Sequence, residues 1–301
     1  MEPRVAVVIV NWNKGAETVR CIASVRASTY PWIDLVVVDN ASSDKSVEVI
    51  EGAYPNLPLL RTAQNIGFTG GYNLGIRHAL ARGADYVFLL NDDAVIAPDT
   101  IHVLVMAAQA NPDAGFLGPR IDSLEERDVL LSAGGLLREG WKTVHRGLGE
   151  RECGQFDRLE QVDYLSGCAL LVSRRAIEAV GMLDDDFFAY YEDVEWCCRG
   201  RRAGFQVLFA PEAVVWHPDT RRRDNTSVLL TYYLARNSLI FAKKQRLGYQ
   251  ARTNILMSHV RTLMSWSLRP RWRNKYPQRH ALYRALTDYL HGTTGKAEGL
   301  S

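Results

Sequence analysis

Residues 86–98 read YVFLLNDDAVIAP, an apolar run that ends abruptly in Asn91, Asp92 and Asp93. The apolar part has the length and composition of a buried strand, and a turn signal at residues 83–85 precedes it. Adjacent carboxylates repel one another, and hard oxygen ligands of this kind suit Mg²⁺ or Mn²⁺, which would in turn hold the phosphates of a nucleotide. The alternative is a polar turn, because Asn and Asp favour turns for purely local reasons.

Two strands with polar ends precede this stretch. Residues 5–10 and 35–38 are β-branched runs typical of parallel strands that are buried on both faces, and they lead into Asn11 and Asp39. Helical patterns lie between the strands, at residues 16–27, 45–53 and 73–82. The order β-α-β-α-β-α-β predicts a parallel sheet with helices on both faces. Ligands bind beyond the carboxyl ends of such strands, so we expect the polar residues to converge on one crevice.

A glycine-rich segment runs from Asn65 through Gly67 to Gly75. It is not the Rossmann fingerprint, because it does not join the first strand to the first helix. Its glycines would let the backbone approach a ligand closely, and Asn65 and Asn73 supply amide donors and acceptors. A glycine-rich turn without a ligand is the alternative.

A second acidic cluster, residues 184–195, opens a helix that we expect to end near Ala203. Glu192 and Asp193 fall at its N-terminus, where the helix dipole favours negative charge; the functional alternative is a general base at the edge of a cleft. His217 ends a strand-like run, as a structural histidine or as a third metal ligand. Residues 120–160 show no clear period and are interpreted as an insertion on the acceptor side.

The last third of the chain is basic. The helix expected at residues 227–244 carries Arg236, which would reach a phosphate or pair with a carboxylate, and residues 221–225 are a solvated turn or a mobile clamp on a diphosphate. Basic and apolar residues alternate through residues 245–291, which favours an amphipathic helical extension on an anionic membrane. A cap docked on the domain or a homodimer contact is the alternative. Residues 292–301 are predicted to be disordered.

The totals exclude several classes of protein. Lys and Arg number 36 against 34 Asp and Glu, so no nucleic-acid partner is expected from the charge of the 301 residues. Five cysteines without a CxxC pair give neither a disulfide framework nor a zinc site. No stretch reaches the ~18 uncharged apolar residues of a membrane-spanning helix. We expect a cytoplasmic protein, peripheral at the inner face of the plasma membrane if the basic extension binds lipid.

Taken in order, these motifs resemble the inverting family 2 glycosyltransferases of GT-A fold, in particular the bacterial rhamnosyltransferase-like branch. The resemblance rests on VVIVNWN at 7–13, VVDNAS at 37–42, NIGF at 65–68, NLG at 73–75, LNDD at 90–93, GCA at 167–169, FFAYYED at 187–193 and Trp216-His217. It implies an α/β fold with a mostly parallel, Rossmann-like central sheet and a C-terminal helical extension. Residues 1–98 would be the nucleotide-binding half of a domain spanning 1–244, and residues 99–244 its acceptor-binding and catalytic half.

The resemblance also implies roles for individual residues. Asp39 resembles the carboxylate that recognises the pyrimidine base, and Asp93 the metal-binding carboxylate of a DXD motif, with Asp92 close to the ribose or the sugar. His217 is similar to a histidine that completes the metal site, and Asp193 resembles the catalytic base. The candidate set further contains Asn11, Asn13, Asn65, Gly67, Asn73 and Arg236 for the donor, Asn91 for the metal, and Tyr191, Glu192 and Trp216 beside the acceptor.

Two positions depart from the family pattern. Asn91 stands where the strict DXD motif has Asp, which implies weaker metal binding there or binding through water. Glu195 stands where many members have Asp, which leaves its role open but not that of Asp193.

The implied reaction is transfer of a sugar from a nucleotide diphosphate to a hydroxyl of a glycan or lipid-linked saccharide, with inversion. Mg²⁺ or Mn²⁺ would act as a Lewis acid on the diphosphate, and Asp193 would take the hydroxyl proton. The branch favours dTDP-rhamnose as donor, and UDP-sugars stay open. A nucleotidyltransferase would need a Gly/Arg/Lys loop after the first strand, which residues 11–14 lack. A nucleotide-sugar-binding protein without catalysis would not need Asp193, and a structural membrane-peripheral protein would leave the acidic clusters unexplained.

Overall fold

The computed structural model describes residues 2–219 and 227–300. Its first part alternates strands and helices as the β-branched runs predict. The elements are β1 (Val5–Asn11), α1 (Gly15–Arg26), β2 (Ile33–Asp39), α2 (Ser46–Ala53), β3 (Leu59–Arg61), α3 (Gly67–Ala81) and β4 (Tyr86–Asn91). Strand β1 pairs in parallel with both β2 and β4, and β2 pairs in parallel with β3. The order predicted for residues 1–98 is confirmed.

The second part is less regular. Its elements are β5 (Val95–Ile96), α4 (Thr100–Ala110), β6 (Ala114–Ser123), β7 (Leu130–Ser132), β8 (Gly135–Arg138), β9 (Lys142–His145), β10 (Glu160–Gln161), β11 (Ala169–Ser173), α5 (Arg174–Val180), α6 (Glu192–Arg202) and β12 (Gln206–His217). Residues 120–160, which showed no period, contain the end of β6 and four short strands. Each of these is too short to display an alternation, and β8 and β9 form a separate hairpin.

The main sheet has the strand order β10-β12-β6-β11-β4-β1-β2-β3, with β5 added beside β12 and β7 beside β6. Strand β11 is antiparallel to both β4 and β6, and β12 is parallel to β6, so β6 and β12 run in the same direction as β4. The expectation of a mostly parallel central sheet flanked by helices is therefore confirmed. Because six strands share one direction, their carboxyl ends lie along one edge of the sheet, including Asn11, Asp39, Asn91 and His217.

Alternate residues of the central strands bury opposite faces of the sheet. Val8 and Leu89 pack with the apolar side chains of α3, α5 and α6 on one face, where Trp196 is fully buried. Val7 and Leu90 pack with those of α1, α2 and α4 on the other face. A sheet covered on both faces explains why the central strands are continuous apolar runs instead of alternating ones.

The glycines of α3 serve the packing of that helix on β1. A Cβ at Gly71 would lie 2.7 Å from Cγ1 of Val10, and one at Gly75 would lie 2.2 Å from Cγ1 of Val8. Spaced four residues apart, the two glycines face the same strand and let the helix approach it closely. The close approach that the glycine-rich segment makes possible is thus, at these two positions, to a strand and not to a ligand.

Three helices complete the chain: α7 (Val228–Lys244), α8 (Tyr249–Leu268) and α9 (Tyr276–Leu290). Helix α7 packs against α9 through a small core that contains Tyr232, Tyr233 and Ala281. In contrast, α8 has no buried residue. None of the helices in the described residues has both the length and the apolar character needed to cross a membrane.

The prediction that residues 292–301 are disordered is wrong for the described part of that segment. The carbonyl of Gly295 accepts a hydrogen bond of 2.7 Å from Nη2 of Arg236, and the amide of Ala297 donates one of 3.0 Å to the hydroxyl of Tyr233. Ala297 is buried. The segment has few apolar residues, which is why its composition predicted disorder. Its order comes from backbone groups that form hydrogen bonds with buried polar side chains of α7.

We expect Gly75→Ala to lower the free energy of unfolding by about 1–3 kcal/mol, because the added methyl group overlaps Val8 in a fully buried contact. Gly52→Ala in α2 is the matched control, since a Cβ there meets nothing within 4 Å. That substitution should raise the free energy of unfolding by about 0.5–1 kcal/mol by restricting the unfolded chain. Urea unfolding of the two variants and the parent measures both values, and equal stability of the Gly75 variant and the parent would contradict the packing contact.

Candidate active site

A cleft of about 640 Å³ opens at the carboxyl edge of the sheet, within the size range of pockets for small ligands. Seven of the predicted site residues line it: Asn65, Gly67, Asn91, Asp92, Glu192, Asp193 and His217. Its lining also contains residues that the sequence did not single out, among them Lys14, Asn40, His145, Cys168 and Phe188. Of the polar strand ends, Asn91 and His217 therefore line one cleft, whereas Asn11 and Asp39 are buried and do not line it.

One side of the cleft holds a cluster built by two strands that are distant in the sequence. Strand β5, directly after Asp93, pairs antiparallel with the end of β12, and Val95 lies opposite Trp216. This register brings Nε2 of His217 to 3.0 Å from Oδ1 of Asp93 and to 3.2 Å from Nδ2 of Asn91. Nδ1 of His217 lies 3.0 Å from the carbonyl oxygen of Pro218, to which it can donate, so the ring is oriented with Nε2 toward the carboxylate.

Lys14, at the N-cap of α1, joins the same cluster. Its Nζ lies 2.7 Å from Oδ2 of Asp93 and 3.2 Å from Oδ1 of Asp92. The side chain of Lys14 is 41% exposed, whereas those of Asp92 and Asp93 are 11% and 10% exposed. A lysine that follows a strand end is ordinarily a solvated residue, so no sequence signal indicated this contact with carboxylates about eighty positions away.

The electrostatics of the cluster follow from burial and these contacts. Burial lowers the pKa of His217, but Cys168 and Asp93 outweigh it and raise that pKa to about 11. Burial would raise the pKa of Asp93, yet His217 and Lys14 hold it well below its usual range. For Asp92, burial prevails over Lys14 and raises the pKa to about 6. At neutral pH the cluster therefore pairs two carboxylates with two cationic side chains.

The donor atoms of this cluster fit a divalent cation in part. Carboxylate oxygens and an imidazole nitrogen are acceptable ligands for Mn²⁺ or Mg²⁺, and the hydrogen bond from Nδ1 of His217 to a backbone carbonyl is the usual support of a ligating histidine. Among residues 2–219 and 227–300, however, no three His, Cys, Asp or Glu side chains are arranged to hold an ion by themselves. Mg²⁺ sites commonly combine one or two carboxylates with substrate phosphates and water, so a diphosphate would complete this set.

Asp193, in the first turn of α6, also lines the cleft. Its Oδ2 accepts a hydrogen bond of 2.8 Å from the amide of Gly167, and its Oδ1 accepts one of 2.8 Å from the amide of Val194. Burial raises the pKa of Asp193, although the two amides oppose the shift. The result is a carboxylate fixed in orientation and more basic than an exposed aspartate, which are the properties of a general base.

Glu192 and His145 flank this carboxylate. Glu192 is buried, and its Oε2 has no hydrogen-bond partner among the described residues. Burial and the charge of Asp193 raise the pKa of Glu192 well above its usual range. Nδ1 of His145 lies 2.9 Å from Oγ of Ser132, and burial lowers the pKa of this histidine.

The turn that leads into α6 is strained. Phe188, Tyr190 and Tyr191 all have positive φ angles, of 55°, 68° and 75°, a conformation that costs non-glycine residues about 1–3 kcal/mol each. Nδ2 of Asn237 on α7 donates to the carbonyl oxygens of Phe187, Ala189 and Tyr190, each at 2.8 Å. One buried amide group therefore holds the turn that positions Asp193, and no pattern in the sequence indicated this role.

The same turn restricts which residue can stand at position 67. The φ of Gly67 is +81°, and a Cβ there would lie 2.5 Å from the carbonyl oxygen of Phe188. Glycine is needed at this position for both reasons.

Glu195 has a structural role. Its Oε2 lies 2.8 Å from Nη2 of Arg199, which also donates to the carbonyl of Met182. The longer glutamate side chain, in the position that the resemblance gives to aspartate, reaches this arginine one helical turn away.

Tyr191 and Trp216 lie next to the cleft but do not line it. The ring of Tyr191 packs 5.5 Å from that of Phe241, and the guanidinium of Arg127 lies 4.6 Å from the ring of Trp216. Their side chains therefore do not line the cleft in which they were predicted to lie beside the acceptor.

Two of the predicted donor-binding residues are corrected. Arg236 is fully buried in the helical layer, where it donates to the carbonyl of Gly295 and to the hydroxyl of Tyr232, so it does not reach a phosphate in the cleft. Asn73 exchanges hydrogen bonds with the backbone of Leu183 and is likewise buried. The sequence placed both residues on helices, but helical periodicity does not tell which side of a helix another layer will cover.

Asn11, Asn13 and Asp39 form a network beneath the cleft. Nδ2 of Asn11 donates to Oδ1 of Asp39 over 2.7 Å, and the amide of Ser42 donates to Oδ2 of Asp39. Oδ1 of Asn13 accepts from the amide of Ser43. These contacts order the loop after β2.

The loop after β2 continues with Asn40, which lines the cleft. Its side chain donates to the carbonyl of Gly67 and accepts from the amide of Ile66. Asn40 therefore links the end of β2 to the start of α3. The basic segment predicted as a diphosphate clamp, residues 221–225, lies outside the described residues.

Comparison with known sequences agrees with the resemblance that the sequence motifs indicate. Residues 3–232 match the family model described as glycosyltransferase like family 2. An N-acetylglucosaminyl-diphospho-decaprenol L-rhamnosyltransferase of Mycobacterium tuberculosis is 30% identical over 272 residues, which cover 81% of this chain and 85% of the relative. The dTDP-rhamnosyl transferase RfbF of Shigella flexneri is 24% identical over 313 residues and 98% of each chain.

A solved structure has the same fold. The mannosyltransferase of Pyrobaculum calidifontis, in complex with GDP-Man and Mn²⁺, superposes with a TM-score of 0.61 over 96% of this chain and 88% of its own. Sequence identity across that superposition is 16%, so the likeness is one of fold.

We expect Asn237→Ala to loosen the turn before α6, because three carbonyl oxygens lose their shared donor and the positive φ angles relax. The free energy of unfolding should fall by about 1–3 kcal/mol, and hydrogen–deuterium exchange should accelerate at the amides of Gly167 and Val194, which bind Asp193. Asn254→Ala, at an exposed position of α8, is the control and should change neither. Unchanged exchange at the two amides would show that the turn holds its shape without Asn237.

Proposed function

Since the chain belongs to glycosyltransferase family 2, we propose that this glycosyltransferase moves rhamnose from dTDP-rhamnose to a hydroxyl of a lipid-linked saccharide, with inversion at the anomeric carbon. One observation carries the proposal: Asp92, Asp193 and His217 line a single cleft, and Asp93 lies 3.0 Å from His217. A single displacement needs a base and a site for the leaving diphosphate in one cleft.

The donor would bind over the carboxyl ends of β1, β2 and β4, in the half of the domain formed by residues 1–98. Asn65 and Gly67 line this part of the cleft, and Asp39 orders the adjacent loop from below, where we propose that it recognises the base. The names of the two relatives support rhamnose, and that of the Shigella relative supports a dTDP carrier. A UDP-sugar is the alternative donor.

Mg²⁺ or Mn²⁺ would be held by Asp93 and His217, with Asp92 and Asn91 beside them. The Mn²⁺ in the complex of the structurally similar mannosyltransferase supports a divalent cation in this fold. Such a cation, when bound, supplies positive charge to the departing diphosphate. Asn91, an amide where the strict motif has a carboxylate, would contribute through its carbonyl oxygen or a water molecule.

Asp193 would accept the proton of the acceptor hydroxyl. As that proton leaves, the hydroxyl oxygen forms a bond to the anomeric carbon, and the bond between this carbon and the diphosphate oxygen breaks with its electron pair. The two backbone amides that bind Asp193 keep its carboxylate fixed during the displacement. Glu192 also lines the cleft next to Asp193, where we propose that it supports the acceptor site.

The C-terminal helices support an acceptor presented at a membrane surface. Between residues 243 and 284 the chain has eleven Lys and Arg and no Asp or Glu. On α8, Met257, Arg261, Met264 and Leu268 are exposed and follow one another at spacings of four, three and four residues, so they lie on one face of the helix.

Helix α8 also lies close to the cleft. It contacts the turn at residues 139–141 that joins β8 to β9, and β9 ends in His145 of the cleft lining. The Mycobacterium relative is named for an acceptor on diphospho-decaprenol, which agrees with this arrangement. We propose a peripheral position at the inner face of the plasma membrane, and a homodimer through the same stripe is the alternative.

Calorimetric titration with dTDP, UDP and GDP, with and without Mn²⁺, tests the proposed function. We expect dTDP to bind more tightly with Mn²⁺ than without it, and more tightly than UDP or GDP. Preferential binding of UDP would select the alternative donor. Failure of all three nucleotides to bind in the presence of Mn²⁺ would contradict a nucleotide-sugar transferase.

Asp193→Asn should abolish sugar transfer and leave the affinity for dTDP with Mn²⁺ nearly unchanged, because the amide keeps the size of the side chain but cannot accept the proton. Loss of a general base typically lowers the turnover number by about 10²–10⁴-fold. Glu195→Gln serves as a control for charge removal in the same helix, since Glu195 pairs with Arg199 away from the cleft. Retained transfer by the Asp193 variant would assign the base to another residue, and transfer absent from the parent would favour a binding protein without catalysis.

Met264→Glu should weaken co-sedimentation with vesicles rich in phosphatidylglycerol, because it places a negative charge on the exposed face of α8 that contains Met257, Arg261 and Leu268. Met106→Glu on α4 is the matched control, since the two methionines are 55% and 49% exposed. Vesicles of phosphatidylcholine alone should bind both proteins weakly. Equal binding of the two variants to the anionic vesicles would contradict the membrane contact, and a change in mass on ultracentrifugation of the Met264 variant would favour the dimer.

A further inference from the structure

Lys14 is placed where the proposed divalent cation would act. Its ammonium lies between Asp92 and Asp93 and contacts one oxygen of each, while the second oxygen of Asp93 lies 3.0 Å from His217. Within residues 2–219 and 227–300, these two carboxylates are the ion-pair partners that Lys14 has. The groups that would bind a metal are therefore neutralised by the chain itself.

We propose that Lys14 is a displaceable internal counter-ion, which holds Asp92 and Asp93 together before the donor binds and moves onto the donor diphosphate when a divalent cation takes its place. This inference rests on the proposed function, because it concerns the same donor site. It adds a residue to that site and an order of events: bare Mn²⁺ binds weakly, and the cation binds well only together with a nucleoside diphosphate.

Electrostatics carry the first half of the inference. A divalent cation that enters the cluster while Lys14 remains would lie beside an ammonium that already contacts an oxygen of each carboxylate. Like charges at contact distance repel strongly in a partly buried environment. The ammonium must therefore leave the carboxylates before the cation can bind them, and the energy of its two charge-assisted hydrogen bonds opposes metal binding.

The side-chain chemistry of lysine carries the second half. The ammonium ends a flexible four-carbon stem, and the side chain is far more exposed than the two carboxylates, so it can move without disturbing packed residues. Lys14 lines the cleft, and a diphosphate entering that cleft would offer it oxygen acceptors in place of the carboxylates. Its position as the residue just before α1 puts it beside the amino end of that helix, where anions are favoured.

The test compares the parent with Lys14→Met, which keeps the length of the stem and removes the charge. In nucleotide-free protein, Mn²⁺ titration followed by electron paramagnetic resonance should give an affinity roughly tenfold higher for the variant, since the carboxylates no longer bind an ammonium. Without any metal, the affinity for dTDP or UDP should fall by roughly tenfold, since the diphosphate loses a cationic partner. The variant should therefore bind Mn²⁺ more tightly than the parent and bind the nucleotide less tightly.

Lys45→Met is the matched control. Lys45 stands just before α2 as Lys14 stands before α1, but it is exposed. Removal of its charge should leave both affinities unchanged, so a general effect of net charge would be visible. A misfolded Lys14 variant cannot imitate the expected result, because tighter Mn²⁺ binding needs Asp92, Asp93 and His217 to be brought together by the folded chain.

Several outcomes would overturn the inference. Mn²⁺ affinity that is equal or lower in nucleotide-free Lys14→Met, or Mn²⁺ binding undetectable in both proteins, would show that Lys14 does not keep the cation out. Unchanged metal-free nucleotide binding would remove the contact with the diphosphate. Failure of the proposed function is distinct, since the parent would then bind no nucleoside diphosphate even with Mn²⁺ present.

Discussion

The candidate active site depends on one short antiparallel pairing, that of Val95 and Ile96 with Trp216 and Val215. Thr100 reinforces it with a hydrogen bond of 2.7 Å from its hydroxyl to the carbonyl of Val214. The pairing fixes the register of the end of β12 against the segment that follows Asp93. A slip of one residue would turn His217 to the opposite face of the sheet. Two strand ends that the chain separates widely are thus joined into one charged cluster by backbone hydrogen bonds.

The neighbouring carboxylates of Asp92 and Asp93 and the strained turn before α6 are both unfavourable features near the cleft. Contacts with other side chains stabilise each of them. Asp92 and Asp93 would repel each other if Lys14 and His217 did not neutralise them. Near Asp193, three carbonyl groups of a strained turn depend on Asn237. Lys14 stands just before α1, His217 ends β12, and Asn237 lies on α7. The position of Asp193 therefore depends on a side chain that does not line the cleft.

The sequence predicted the parallel part of the fold because strands such as Val5–Asn11 are buried on both faces and have no competing period. Strand β12 is less regular, since Pro211 cannot donate a ladder hydrogen bond and the register against β6 shifts between Ala210 and Val214. Polar strand ends identified Asp92 and His217, which line the cleft. The contact of Lys14 with the two carboxylates could not be predicted, because these partners lie 78 and 79 positions away in the sequence. Arg236 was misassigned because the helical layer that buries it leaves no trace in local periodicity.

The contact of Arg236 with Gly295 has a consequence for synthesis of the chain. A ribosome releases α7 well before residue 295, so the nascent helix carries a guanidinium whose carbonyl partner does not yet exist. A buried guanidinium that lacks one of its partners is unfavourable, which opposes early burial of that part of α7. The sheet can form co-translationally from local βαβ units, and we expect the helical layer to close after residue 295 has emerged. The turn bound by Asn237, one residue along the same helix, would become fixed at that late stage, which makes Asp193 one of the last site residues to reach its final geometry.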